Sequence, residues 1–160
     1  MKVLFFYLLS ALVVINALNA QSANLKEVPA KLKDAFTSKY ASASIKKWSF
    51  KNNVYTANFI FDGKKSTAFY DVNGGWIRTE TNFGWTWKLP IAVKNGFYKS
   101  EFATWFIEKM KKYETPESTF YRFLIDNGDL LDGDHHDAFL EEYISDFSAN
   151  GRLICKTERQ

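Results

Sequence analysis

The sequence predicts an α+β protein: two tandem helix-plus-antiparallel-meander repeats packed as one body, an arrangement in which one sheet can run continuously through both. Three observations lead there. Val28-Pro29 opens an amphipathic segment that ends at Phe36, and Leu89-Pro90 opens another that ends at Phe97, with Pro90 and Phe97 each 61 residues after their counterparts. Turn-forming pairs recur in the same order after each segment, Asp62-Gly63 and Asn73-Gly74 first, Asn127-Gly128 and Asn150-Gly151 second. Between these punctuation marks lie alternating runs rich in aromatic residues, which make up 18% of the chain. Repetition of this kind decides architecture before any single residue does, and alternation with aromatic enrichment is the signature of half-buried strands.

The N-terminus stands apart from both repeats. Lys2 supplies a thin positive flank, Val3 to Ile15 is almost wholly apolar, and Asn16 to Ala20 ends in a small residue. This is the pattern of a cleaved signal peptide over 1–20. The apolar run is shorter than the ~20 residues a membrane span needs, so the expectation is export to the periplasm or medium, with no membrane association after cleavage. The remainder divides into a first repeat over 21–82, an aromatic connector over 83–88, and a second repeat over 89–160.

In the first repeat, Pro29 suits the first helical position, and Val28, Leu32, Ala35, Phe36 and Tyr40 recur at helical spacing. The period then falls to two. Ile45–Phe50, Val54–Phe61, Ser66–Tyr70 and Trp76–Thr81 read as four strands, with Tyr55, Ala57, Phe59 and Phe61 on one side of the second. Asn52-Asn53 and Asp62-Gly63 separate them with residues that tolerate positive φ, the chemistry of tight hairpins.

The second repeat keeps this order with changes. Leu89, Val93, Gly96 and Phe97 occupy the places of Val28, Leu32, Ala35 and Phe36. Phe102–Tyr113 reads as a long strand, Glu114–Glu117 as a turn, and Phe120–Ile125 as the counterpart of Tyr55–Ile60. About twelve residues near 129–140 are inserted relative to the first repeat. Phe139–Phe147 fits a helical stripe as well as a strand; alignment of the repeats favours a strand near Tyr143–Phe147. Leu153 and Ile154 begin the last strand.

Charge and cysteine content exclude several function classes. The formal net charge is only +3 at pH 7, with acids and bases interspersed and no basic block longer than Lys109–Lys112, which is no nucleic-acid footprint. Cys155 is the sole cysteine, so no internal disulfide exists. It reads as a small buried hydrophobe of the last strand, the other readings being a free thiol or an intermolecular bridge.

The most chemical-looking cluster lies in the insertion, where Asp132, Asp134, His135, His136 and Asp137 follow Asp126 to Asp129. Oxygen-rich loops take Ca²⁺ and His with Asp takes Zn²⁺, so these five are weak candidates for metal or small-ligand binding. Counted from Asp132, however, an EF-hand would need Gly where Asp137 stands and Glu where Tyr143 stands. No nucleophile elbow, Cys/His grid or phosphate loop is present. A hydrolase would need two acids to converge, and nothing in the sequence marks such a pair. The expectation is a non-enzymatic protein without a cofactor.

Aromatic residues are the better functional candidates. Trp48, Trp76, Trp85 and Trp87 are many for one small core, and exposed aromatics anchor protein or peptide interfaces. For Trp85 and Trp87 on the connector, the plainer reading is that they seal the joint between the repeats. A free sheet edge could also accept a peptide strand.

The helix opening V-P-A-K-L-K-D-A-F-T-S-K-Y from Val28, then I-K-K-W, V-Y-T-A-N-F, Asp62-Gly63 and D-V-N-G-G-W-I-R-T-E ending at Glu80, together resemble the PepSY-like family of small exported bacterial proteins. The match is close over Val28–Glu80 and looser over Leu89–Glu158. That family resembles β-lactamase-inhibitor protein in fold. The resemblance implies a helix-and-sheet body whose concave face binds protein, with peptidase inhibition as an analogy. It implies no catalytic residue. The sequence therefore points to an exported module for an unidentified protein or peptide, the alternative being a metal or small-ligand binder working through the insertion.

Overall fold

The computed structural model describes residues 28–128 and 141–159. Two helices, α1 (Ala30–Lys39) and α2 (Ile91–Tyr98), accompany eight strands. These are β1 (Ser44–Lys51), β2 (Val54–Phe61), β3 (Lys64–Asp71), β4 (Trp76–Phe83), β5 (Phe106–Glu114), β6 (Thr119–Asp126), β7 (Glu142–Ser148) and β8 (Leu153–Glu158). All eight form a single antiparallel sheet in chain order. Each half is thus a helix followed by four strands, and the β4–β5 ladder, from Thr79 opposite Glu114 to Phe83 opposite Met110, carries the sheet across the join.

The turns follow from their residues. Asn52, Asn53 and Asp62 all adopt positive φ, and Gly63, Gly74 and Gly151 do so at 69°, 86° and 85°. Such conformations cost little for Gly and Asn, so they set hairpin register cheaply. Asp71 tightens the β3–β4 turn, its Oδ1 accepting the backbone N–H groups of Asn73 and Gly75 at 2.7 and 2.8 Å.

Both helices lie on one face of the sheet. α1 turns Leu32 and Phe36 inward onto Trp48, Ala57, Phe59, Ala68 and Tyr70. α2 turns Val93 and Phe97 onto Met110, Tyr121, Phe123 and Phe147, with Phe83 and Leu89 at its flank. The apolar residues thus fall into two cores. Between them, on the same face, are the buried hydroxyls of Ser66, Thr79 and Thr81. Ser66 and Thr81 share a hydrogen bond of 3.0 Å and Thr79 bonds the Tyr40 hydroxyl. Burial pushes the Tyr40 phenol up to about 12.

Several expectations need correction. Pro29 has ψ 139°, so it is the residue before the helix and Ala30 is its first turn. Residues 101–105 form turns, and β5 begins only at Phe106; Phe102 is buried, and its ring packs on Trp105 and Tyr143 5.3 and 5.7 Å away. Phe83 belongs to β4 and to the second core, so the connector begins at Gly84. Cys155 is exposed, because β8 is a sheet edge and Cys155 stands opposite Asp146 on the face away from the helices. Tyr143–Phe147 is a strand, as the alignment of the repeats required. Residues 1–20 and the candidates Asp132, Asp134, His135, His136 and Asp137 lie outside the described residues.

Candidate functional site

Strand alternation that buries Ala57, Ala68, Thr79, Met110, Phe123 and Phe147 under the helices sends their neighbours to the opposite face. No helix of the described residues covers that face. Across its middle strands runs a continuous band of rings and charges. On β3 and β4, Phe69 and Arg78 are cross-strand partners, and the guanidinium sits 3.8 Å from the ring centroid. Arg78 Nε donates to Glu80 Oε1 at 3.0 Å, and Lys111 Nζ on β5 donates to Glu80 Oε2 at 2.7 Å. Burial alone would raise the Glu80 carboxyl, but the hydrogen bonds from Lys111 and Arg78 outweigh it and hold the group below its ordinary value.

The band continues through β5, β6 and β7. Tyr113 and Phe120, paired across the β5–β6 hairpin, stack with centroids 5.1 Å apart and planes 2° from parallel. Arg122 lies 5.0 Å from the Tyr113 centroid and 5.5 Å from that of Phe120. Its Nε and Nη2 grip both carboxylate oxygens of Asp146 at 2.8 and 2.7 Å. That grip raises the guanidinium further above its ordinary value. Each cation is therefore held by a carboxylate, and the arginines also by rings. Bidentate and stacked arrangements of this kind fix arginine in place before any partner arrives.

Beside Arg122 the face dips into a depression of about 320 Å³. Tyr113, Leu124 and Ile144 form its apolar part, and Lys109, Lys111, Arg122 and Arg159 supply its cations. Arg159 Nη1 is tied to Glu142 at 3.0 Å. Among the described residues no carboxylate lines the depression itself.

The four tryptophans singled out from the sequence do not converge. Trp48 is only 7% exposed, packed edge-on to Phe36 at 5.6 Å in the first core. Trp76 is half-buried; its indole N–H donates to Thr79 Oγ1 at 2.9 Å, and the Lys39 ammonium lies 3.7 Å over its ring. Trp85 and Trp87 are 64% and 70% exposed around a 3-10 turn at Thr86–Lys88. They do not seal the joint, because the β4–β5 ladder and Phe83 make it without them. The ring-and-cation band was not among the sequence candidates. One part of it was readable, since Tyr113 and Phe120 flank the turn expected at Glu114–Glu117, which the structure centres on Thr115–Ser118; Arg122 and Asp146 are separated by the insertion and were not.

What this face offers is charge and ring surface. Cys155 Sγ lies 3.9 Å from both the Lys156 carbonyl oxygen and the Thr157 hydroxyl. Among the described residues no group of three or more His, Cys, Asp or Glu is placed to hold a metal ion, and no helix is long and apolar enough to cross a membrane.

No family model and no curated protein sequence matches the chain. Solved structures do. A BLIP-like protein from Bacteroides fragilis is 25% identical with a TM-score of 0.69, the alignment covering 84% of this chain and 89% of that one. A DUF2874 family protein from Bacteroides ovatus is 22% identical with a TM-score of 0.66, over 82% and 88%. A protein from Bacteroides eggerthii described as periplasmic is 19% identical with a TM-score of 0.64, over 82% and 89%. The chain has a BLIP-like α+β fold.

Proposed function

We propose that the chain is a non-enzymatic, exported module that binds a protein or peptide across the open face of its sheet. The single observation that carries this reading is the band from Phe69 to Asp146. It sets half-buried rings beside arginines whose positions are already fixed, on a face that no helix of the described residues covers. Aromatic and arginine side chains dominate binding energy where two proteins meet, and fixed side chains lose little entropy on docking. A BLIP-like neighbour and a neighbour described as periplasmic support the same direction. An inhibitor-like role and the PepSY-like affiliation are the finer forms of this proposal. Trp85 and Trp87 are a second contact region of the same module, favoured by their exposure and by Ile91, 68% exposed, just after them.

The test is quantitative capture from periplasmic and secreted fractions by three immobilised chains: unaltered, Tyr113→Ala with Phe120→Ala, and Trp85→Ala with Trp87→Ala, each checked for unchanged circular dichroism. A partner held by the unaltered chain and weakened about 30-fold by the Tyr113/Phe120 pair, the size of one central anchor, supports the open face. Equal capture by the unaltered chain and the Tyr113/Phe120 variant removes it.

A further inference from the structure

We infer that the depression beside Arg122 receives an acidic side chain adjoining an apolar one, so that the partner presents a Glu or Asp next to a residue such as Leu. This rests on the reading of the open face as a docking surface and adds what chemistry docks there. The argument is one of complementary charge over an apolar floor. Among the described residues four cations reach the depression and no carboxylate lines it. Three of them are held from outside, Lys111 by Glu80, Arg122 by Asp146 and Arg159 by Glu142. Those carboxylates position their cations. Asp146 holds Arg122 through Nε and Nη2, and the Tyr113 side chain lies beside the same guanidinium. Lys109 has no ion-pair partner among the described residues, and cross-strand pairing puts it opposite Leu124, on the same face as the apolar floor.

An incoming carboxylate would therefore meet the Lys109 ammonium beside a guanidinium already fixed in place. Its neighbouring methyl groups would cover Leu124 and Ile144. The volume of about 320 Å³ suits one or two side chains and is small for a folded element. A basic partner would meet the like charge of Lys109, which no described carboxylate offsets, and a purely apolar one would desolvate it without return.

The probes are three blocked dipeptides, acetyl-Leu-Glu-amide, acetyl-Leu-Gln-amide and acetyl-Leu-Lys-amide, titrated to millimolar concentration into the ¹⁵N-labelled chain. The Glu dipeptide is expected to give saturable shifts centred on Lys109, Arg122 and Ile144. Binding should be about fivefold weaker with Gln, and absent with Lys. Lys109→Glu and Lys109→Met, at an exposed position that folding does not need, should each weaken the Glu dipeptide by about the same factor. Equal responses to all three dipeptides, or shifts centred elsewhere, overturn the inference. Its failure is separable from that of the docking face: a partner lost on Tyr113/Phe120 substitution with no charge preference here leaves the face and removes only this pocket.

Discussion

At Gly96 the backbone of α2 lies directly on the β7–β8 turn. A Cβ there would stand 1.9 Å from the Gly151 carbonyl oxygen, and one at Gly151 would stand 2.1 Å from that of Ala92. Backbone cannot rotate away as a side-chain tip can, so Gly96→Ala must lift the helix or open the turn. The expected loss is about 2–4 kcal/mol, of the kind seen for overpacking at a rigid contact, measured as a drop in urea midpoint. Gly63→Ala is the control: it meets nothing within 4 Å and has only its φ of 69° against it, for about 1 kcal/mol. Equal losses would show that conformation, and not contact, decides both. In the sequence Gly96 only fills the place of Ala35. Nothing local announces a contact with a turn more than fifty residues on. The exposed Cys155 was hidden for a related reason, since a residue cannot show from its neighbours that its strand is a sheet edge.

Strands and turns were far more legible than contacts between them. The bounds of β2 match the alternating run Val54–Phe61 itself, and the Asn and Gly pairs mark turns whose positive φ values justify them. What alternation cannot disclose is which side chains meet across strands distant in sequence, and the charged half of the open face is built that way. Glu80 of β4 joins Arg78 on its own strand to Lys111 of β5, at the seam between the halves. Its carboxyl is held below the ordinary value of 4.5, so the folded form prefers the ionised state. The stability this adds is present above pH 4.5 and is lost as pH falls through the lower folded value. Glu80→Gln removes the group that titrates. Unfolding followed from pH 7 to pH 2 should therefore show a shallower acid decline in the variant, with the largest difference below pH 4.5. Parallel declines for the two proteins would mean that the network at the seam contributes nothing.

A single sheet spanning two separate apolar cores raises the question of whether the chain melts as one unit. Leu32, Phe36 and their partners make one core under α1, and Val93, Phe97 and theirs another under α2. Between them the helix face carries Ser66, Thr79, Thr81, Lys112 and Glu114, lining or adjoining a cleft of about 260 Å³. The β4–β5 ladder joins the cores through backbone hydrogen bonds, whose net worth is about 1 kcal/mol each, and little apolar surface reinforces it there. Cooperativity is transmitted chiefly by shared packing, and regions that lack it open separately. Leu32 is fully buried, so Leu32→Ala should cost its half about 2–5 kcal/mol. Hydrogen exchange on that variant is expected to show amides of β2 and β3 losing protection while those of β6 and β7 keep theirs. The converse holds for Val93→Ala. If instead either substitution lowers protection equally in all the strands, the continuous sheet couples the cores fully. The polar layer between them is then no boundary, and the two halves stand or fall as one folding unit.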